Sequence, residues 1–155
     1  MVPSGSIISS IVGRFLRDAQ GELDQMSKLI AVALGGALGS IGRYLIALWV
    51  GRISKYDFPY ETLAANLVGC LLIGLLWGYF ERVQISNEFR LFLFTGILGG
   101  FTTFSTFARE GVQYFKSGEP LLAMTYLLAS NILGLTLVAL GFMISVRFLH
   151  NGRVF

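Results

Sequence analysis

Gly96-Ile97-Leu98-Gly99-Gly100-Phe101-Thr102-Thr103-Phe104-Ser105-Thr106-Phe107 lies inside an apolar run long enough to cross a bilayer, yet its composition is not that of a lipid-facing helix. The Gly-Gly pair weakens a helix, and the hydroxyls that follow can bond nearby backbone groups instead. A break is therefore expected here. In a bilayer, backbone N–H and C=O groups released from a helix are tolerated only where protein, water or an ion satisfies them, so an interrupted span marks an interior site.

The rest of the chain fits that setting. A length of 155 residues suits one soluble domain, but 54% hydrophobic residues, 14% charged residues and a mean hydropathy of +0.68 do not. Four apolar stretches, roughly Leu29–Val50, Leu63–Phe80, Phe89–Phe115 and Leu121–Val146, are each near or above the ~20 residues that span a bilayer. They predict an all-α integral membrane protein of four transmembrane helices, the third broken at mid-membrane, with no room for a soluble catalytic domain. The net charge of +3 is scattered and forms no basic stripe of the kind nucleic acid requires. Cys70 has no second cysteine to pair with, and it and His150 read as a packed thiol and an interfacial imidazole.

Residues 1–25 are expected to be an extension, amphipathic or disordered, ahead of a four-helix membrane unit over 26–150. Ile7, Ile8, Ile11, Val12, Phe15 and Leu16 beside Arg14 and Arg17 fit a short amphipathic surface helix, a better reading than a signal peptide because no small-residue cleavage site follows. Met26 is an alternative start. The first span carries Gly35 and Gly39 at the spacing that lets helices approach closely, and then Arg43. A cation at that depth snorkels, holds a loop carbonyl or a carboxylate, or borders an aqueous vestibule. In the second span Thr62 and Asn66 share a face, as do Tyr126 and Ser130 in the fourth, followed by Asn131, Gly134, Thr136 and Gly141. Each polar pair either bonds its own or a neighbouring helix or lines a polar track. With four spans both termini share one side. Arg14, Arg17, Lys28, Arg82, Arg90, Arg147 and Arg153 on that side, against Arg52, Lys55 and Lys116, favour a cytoplasmic location for the termini.

The groups available inside the membrane are hydroxyls, amides and phenyl rings. No carboxylate is placed at mid-depth, since Glu61 and Glu110 fall near span ends, so proton coupling lacks its titrating group. Hydroxyls and an Asn amide donate the hydrogen bonds that an anion needs, and phenyl rings present a positive edge. Phe104 and Phe107, three residues apart, either place two such edges along one path or simply pack. At the break, carbonyls of the first half-helix suit a hard cation such as Na⁺, and the N-terminus around Thr102 and Thr103 favours negative charge.

Gly99-Gly100-Phe101-Thr102-Thr103-Phe104-Ser105-Thr106-Phe107 resembles the GGxTTFSTF helix break of the Fluc (CrcB-type) fluoride channel family. The agreement extends to Gly35-Gly36-Ala37-Leu38-Gly39-Ser40-Ile41-Gly42-Arg43-Tyr44, to Asn66-Leu67-Val68-Gly69, and to Tyr126 and Ser130, covering Met26 to about Phe148. The resemblance implies a multi-pass protein of the plasma or inner membrane that exports fluoride passively and lowers its toxicity. It implies an antiparallel homodimer of dual topology with two pores, and a structural Na⁺ held by the carbonyls of Gly99 and Thr102 from both chains. It further implies pore-lining roles for Phe104 and Phe107, control of the path by Asn66, a polar track through Ser105 and Thr106, and path-facing positions for Tyr126 and Ser130. Glu110 matches a vestibule carboxylate, Thr62 lies beside that region, and Arg43 matches the first-helix arginine.

The Lys and Arg excess on the terminal side sits against dual insertion. Either the bias is too small to fix orientation, or a second, oppositely biased paralogue completes a heterodimer. Two other readings compete. A small multidrug exporter subunit needs a membrane-embedded glutamate in its first helix, and Leu29–Val50 has none. A membrane scaffold protein explains the glycines but not the polar break. No nucleophile, base and orienting group assemble in these spans, so the chain is not expected to be an enzyme.

Overall fold

The computed structural model describes the backbone of residues 4–53 and 58–151, and side chains over 12–53 and 58–148. Lys55, Asp57 and Arg153, and the side chains of Ile7, Ile8, Ile11 and His150, lie outside the described residues. Helix α1 (Ser4–Ile53) is followed by α2 (Tyr60–Phe80), a short α3 (Asn87–Arg90), a π-helix (Leu91–Leu98), α4 (Gly99–Phe101), α5 (Phe104–Lys116) and α6 (Pro120–Asn151). Four runs, Val12–Ile53, Tyr60–Phe80, Asn87–Lys116 and Pro120–Phe148, are long and apolar enough to cross a membrane. The chain is an all-helical, multi-pass membrane protein.

Local chemistry explains the helix ends. The Ser86 side chain accepts from the Phe89 N–H at 3.2 Å and starts α3, a Ser N-cap of the ordinary kind. At the far end of α5, Gly118 takes φ +79°, the Glu119 N–H bonds the Tyr114 carbonyl at 2.9 Å, and the Gly118 N–H bonds the Phe115 carbonyl at 3.2 Å. This Schellman closure reverses the chain into Pro120, whose missing N–H is harmless in a first helical turn. Helix α1 is 50 residues long and uninterrupted through Met26. At ~1.5 Å per residue it runs about 75 Å, well beyond the ~30 Å hydrocarbon core of a bilayer.

Two glycine seams hold the helices together. Along the first, a Cβ on Gly35 would overlap the Phe92 carbonyl and one on Gly39 the Ile97 carbonyl, while Gly42 faces the Phe101 ring, so α1 and the third span run side by side in one direction. Along the second, Gly74 meets the Val138 carbonyl, Gly141 the Leu71 carbonyl and Gly78 the Ser145 side chain, pairing α2 with α6, again in one direction. Small residues permit this approach, and dispersion between the closely packed backbones supplies the association that apolar lipid does not. Few side chains are enclosed: Ala65, Leu98, Ala123 and Tyr126 are nearly inaccessible, whereas Leu135 (74%) and Phe148 (79%) are largely exposed. These apolar outer faces suit lipid or a second copy, not water.

The Gly99-Gly100 pair stays helical. Backbone leaves the helix two residues later, at Thr102 (φ −88°, ψ 156°) and Thr103 (φ −144°, ψ 112°). The reason is packing: Gly100 lies directly against the Gly36 backbone, where any side chain would collide, so its lack of a Cβ serves close approach more than flexibility.

Candidate functional site

Two extended residues between α4 and α5 free several backbone groups, and each has an identifiable replacement. The Thr102 N–H still reaches the Leu98 carbonyl at 3.0 Å, and the Thr102 hydroxyl donates to the same oxygen at 2.9 Å. The Thr103 N–H, which in an unbroken helix would reach Gly99, donates to Asn66 Oδ1 at 2.8 Å. Asn66 Nδ2 in turn donates to the Thr103 carbonyl at 3.1 Å. One amide of α2 therefore clamps both sides of Thr103. The Gly100 carbonyl accepts from Arg43 Nε at 3.1 Å, so α1 also reaches the interruption.

The second half-helix is capped from within. The Thr103 hydroxyl accepts from the Thr106 N–H at 3.3 Å and donates to Thr106 Oγ1 at 2.9 Å, with Ser105 Oγ 3.5 Å away. Sequence reasoning gives Thr103 only as a capping position near a positive helix end. Its role as the residue gripped by Asn66 has no sequence signal, because the partners are 37 positions apart. With Thr103 and Thr106 N–H groups engaged elsewhere, the Gly99 and Thr102 carbonyls are left without their helical donors. Among the described residues no group of three or more His, Cys, Asp or Glu is placed to hold a metal.

A groove of about 400 Å³ opens beside the interruption. Asn66, Gly69, Cys70 and Ile73 form its α2 wall, Phe104 and Phe107 its α5 wall, and Ser130 and Asn131 its α6 wall, with Phe94, Leu98, Gly99, Thr102 and Thr103 closing it. The Phe104 and Phe107 rings are 5.8 Å apart and tilted, Phe104 at 78% exposure and Phe107 at 8%. Ser130 does not bond its own helix: its hydroxyl oxygen is buried in this wall with no partner. Buried unpaired hydroxyls cost about 1–3 kcal/mol, which marks a site for a ligand or water.

One turn along α5, a second cavity of about 390 Å³ is lined by Glu110 with Phe58, Pro59, Glu61, Arg109, Gln113 and Tyr114. Glu110 accepts from the Thr62 hydroxyl and from the Tyr126 hydroxyl, both at 2.8 Å, one on each carboxylate oxygen. Tyr126 thus turns to the carboxylate, and its ring packs on Phe107 at 5.2 Å, where Phe107 lines the first cavity and Glu110 the second. The site residues expected from the sequence fall into four places. Asn66, Phe104, Phe107, Ser130, Gly99 and Thr102 meet at the groove, Thr62, Glu110 and Tyr126 at the second cavity, and Ser105 and Thr106 around the cap; Arg43 stands behind the interruption. Cys70, Phe94 and Asn131 line the groove without having been candidates.

The arrangement provides hydroxyl and amide donors, aromatic rings and one positive helix end around a single groove. Residues 30–142 match the family model described as CrcB-like protein, Camphor Resistance (CrcB). A protein of Desulfotalea psychrophila named fluoride-specific ion channel FluC is 56% identical over 127 residues, 82% of this chain and 98% of its own length. Proteins with the same name from Phocaeicola vulgatus and Parabacteroides distasonis are 42% and 44% identical over 120 and 116 residues, 77% and 75% of this chain and 99% and 91% of their own lengths.

Proposed function

Because the chain belongs to the CrcB-like family, whose named members are ion channels and not enzymes, we propose that it is a fluoride-selective channel conducting F⁻ passively across the cell membrane. The observation that carries this reading is the groove, where an unpartnered Ser130 hydroxyl lines the same cavity as the Phe104 and Phe107 rings and the α5 N-terminus. Fluoride sheds most of its water to enter. Hydroxyl and amide donors, each charge-assisted bond worth roughly 1.5–3 kcal/mol, replace that water in steps too weak to hold the ion.

The residues take distinct parts in this mechanism. Asn66 fixes Thr103 and so sets the direction of α5, whose N-terminal dipole favours an anion in the groove. Phe104 and Phe107 present ring edges and narrow the passage against larger anions. Ser105 and Thr106 continue the donors, and Glu110, steadied by Thr62 and Tyr126, keeps the second cavity hydrated as a vestibule. Export follows the membrane potential, with no energy source in the protein, and lowers cytoplasmic fluoride.

The exposed Phe104 and the shallow groove are completed in this reading by a second copy, antiparallel to the first, or by an oppositely biased paralogue. The Gly99 and Thr102 carbonyls, freed of helical donors, fit a hard cation, and two such pairs across the dimer would hold Na⁺. When bound, that ion would supply fixed positive charge beside the groove. Arg43, bonded to the intervening Gly100 carbonyl, keeps these oxygens in position.

Purified protein in liposomes, tested against a fluoride electrode, checks the assignment. Wild type is expected to release fluoride at the same rate with and without a proton gradient, and Phe104→Ile to reduce release to the leak of empty vesicles. Release that requires a proton gradient would replace the channel by a coupled carrier. Unaltered release by Phe104→Ile would remove the ring from the pathway.

A further inference from the structure

Counting donors in the groove points to a residue outside the set just described. Thr102 commits its hydroxyl to Leu98 and Thr103 commits its hydroxyl to Thr106. Asn66 has one N–H and its Oδ1 on Thr103. Asn66 therefore keeps one N–H, and the α6 wall adds two further donors: Ser130 keeps its whole hydroxyl, and the adjacent Asn131 gives one N–H to the Leu127 carbonyl at 2.7 Å while its second N–H remains. Other polar groups on this helix, Thr125 and Thr136, bond carbonyls four residues back and line no cavity among those described here. An amide held at mid-helix in an apolar span is expensive in lipid, and it is retained where it faces protein, water or an ion.

We propose that Asn131 is a fluoride-binding residue of the conduction path, its free Nδ2 proton acting with the Ser130 hydroxyl as paired donors to the dehydrated ion. This rests on the channel reading above. The back-bond to Leu127 is part of the device, because it restrains the amide of a residue that lines the groove. A primary amide held in this way donates along one direction, whereas a freely rotating hydroxyl adapts to the ion.

The test is fluoride efflux from liposomes by the full chain, with the dimer fraction of each variant measured in the same preparation. Asn131→Leu, apolar and of similar size at an exposed position, is expected to slow efflux at least tenfold with the dimer fraction unchanged. Asn131→Gln, which retains the amide, is expected to recover part of the rate, and Asn131→Asp, which removes the donor and adds negative charge, to fall to background. Efflux by Asn131→Leu within twofold of a conducting wild type overturns this inference and leaves the channel reading standing. A loss that only follows a reduced dimer fraction also overturns it, assigning Asn131 to the contact between copies. A silent wild type overturns the channel reading itself, and this inference with it.

Discussion

Asn66→Leu is expected to abolish fluoride efflux and to lower the thermal midpoint of the purified protein by roughly 10 °C. The substitution retains size and removes both bonds to Thr103, leaving an N–H and a carbonyl without partners inside the membrane. Each orphaned group costs about 1–3 kcal/mol. The two extended residues would then either recover helical bonding, which turns α5 away from the groove, or fray. Asn66→Asp separates the two bonds, since it can still accept from the Thr103 N–H but cannot donate to its carbonyl. It is expected to fall between wild type and Asn66→Leu in stability and to conduct poorly because a negative charge faces the ion. A wild-type melting curve for Asn66→Leu would show that the clamp does not hold the interruption.

Gly39→Val is expected to be at least as damaging, through packing and not hydrogen bonding. A Cβ on Gly39 runs into the Ile97 carbonyl and the Phe101 N–H, backbone atoms with no rotamer to escape into. Helix α1 must then separate from the third span, and Arg43, one turn further along, loses reach of the Gly100 carbonyl. Overpacking of this type costs about 1–3 kcal/mol when side chains can yield, and more when backbone must move. The expected result is little monodisperse protein in detergent and no fluoride efflux. Gly36→Ala supplies the contrast, because nothing lies within 4 Å of a Cβ there, and it is expected to purify with a wild-type yield. Equal yields for Gly39→Val and wild type would show that the seam is not the determinant of assembly.

The contrast between Gly36 and Gly39 shows where sequence reading stops. Four apolar stretches are visible directly, because hydropathy over ~20 residues is a property of composition. Gly35 and Gly39 are visible as a close-packing pair because their spacing fixes a helix face. Which glycine touches backbone depends on the partner helix, and that is tertiary information. Asn66 is the sharper case. Its type and its shared face with Thr62 mark it as polar and inward, but the structure gives the two residues separate partners, Thr103 for one and Glu110 for the other. For Arg43 three environments are open from sequence, and the structure selects a carbonyl. The Gly-Gly pair misleads in a specific way: glycine's flexibility suggests that the chain departs from the helix there, while its smallness is what the fold uses. Asn131 has no flanking signal at all, since any asparagine in a membrane helix can bond back four residues, and only the groove shows that one of its protons is left over.

Selective fluoride conduction is tested most directly by comparing fluoride and chloride release from liposomes loaded with both ions and carrying the purified wild-type protein. The account predicts rapid fluoride loss with chloride release no faster than from protein-free vesicles. Chloride released at a rate comparable to fluoride, or fluoride retained by protein that is folded and dimeric, would contradict it.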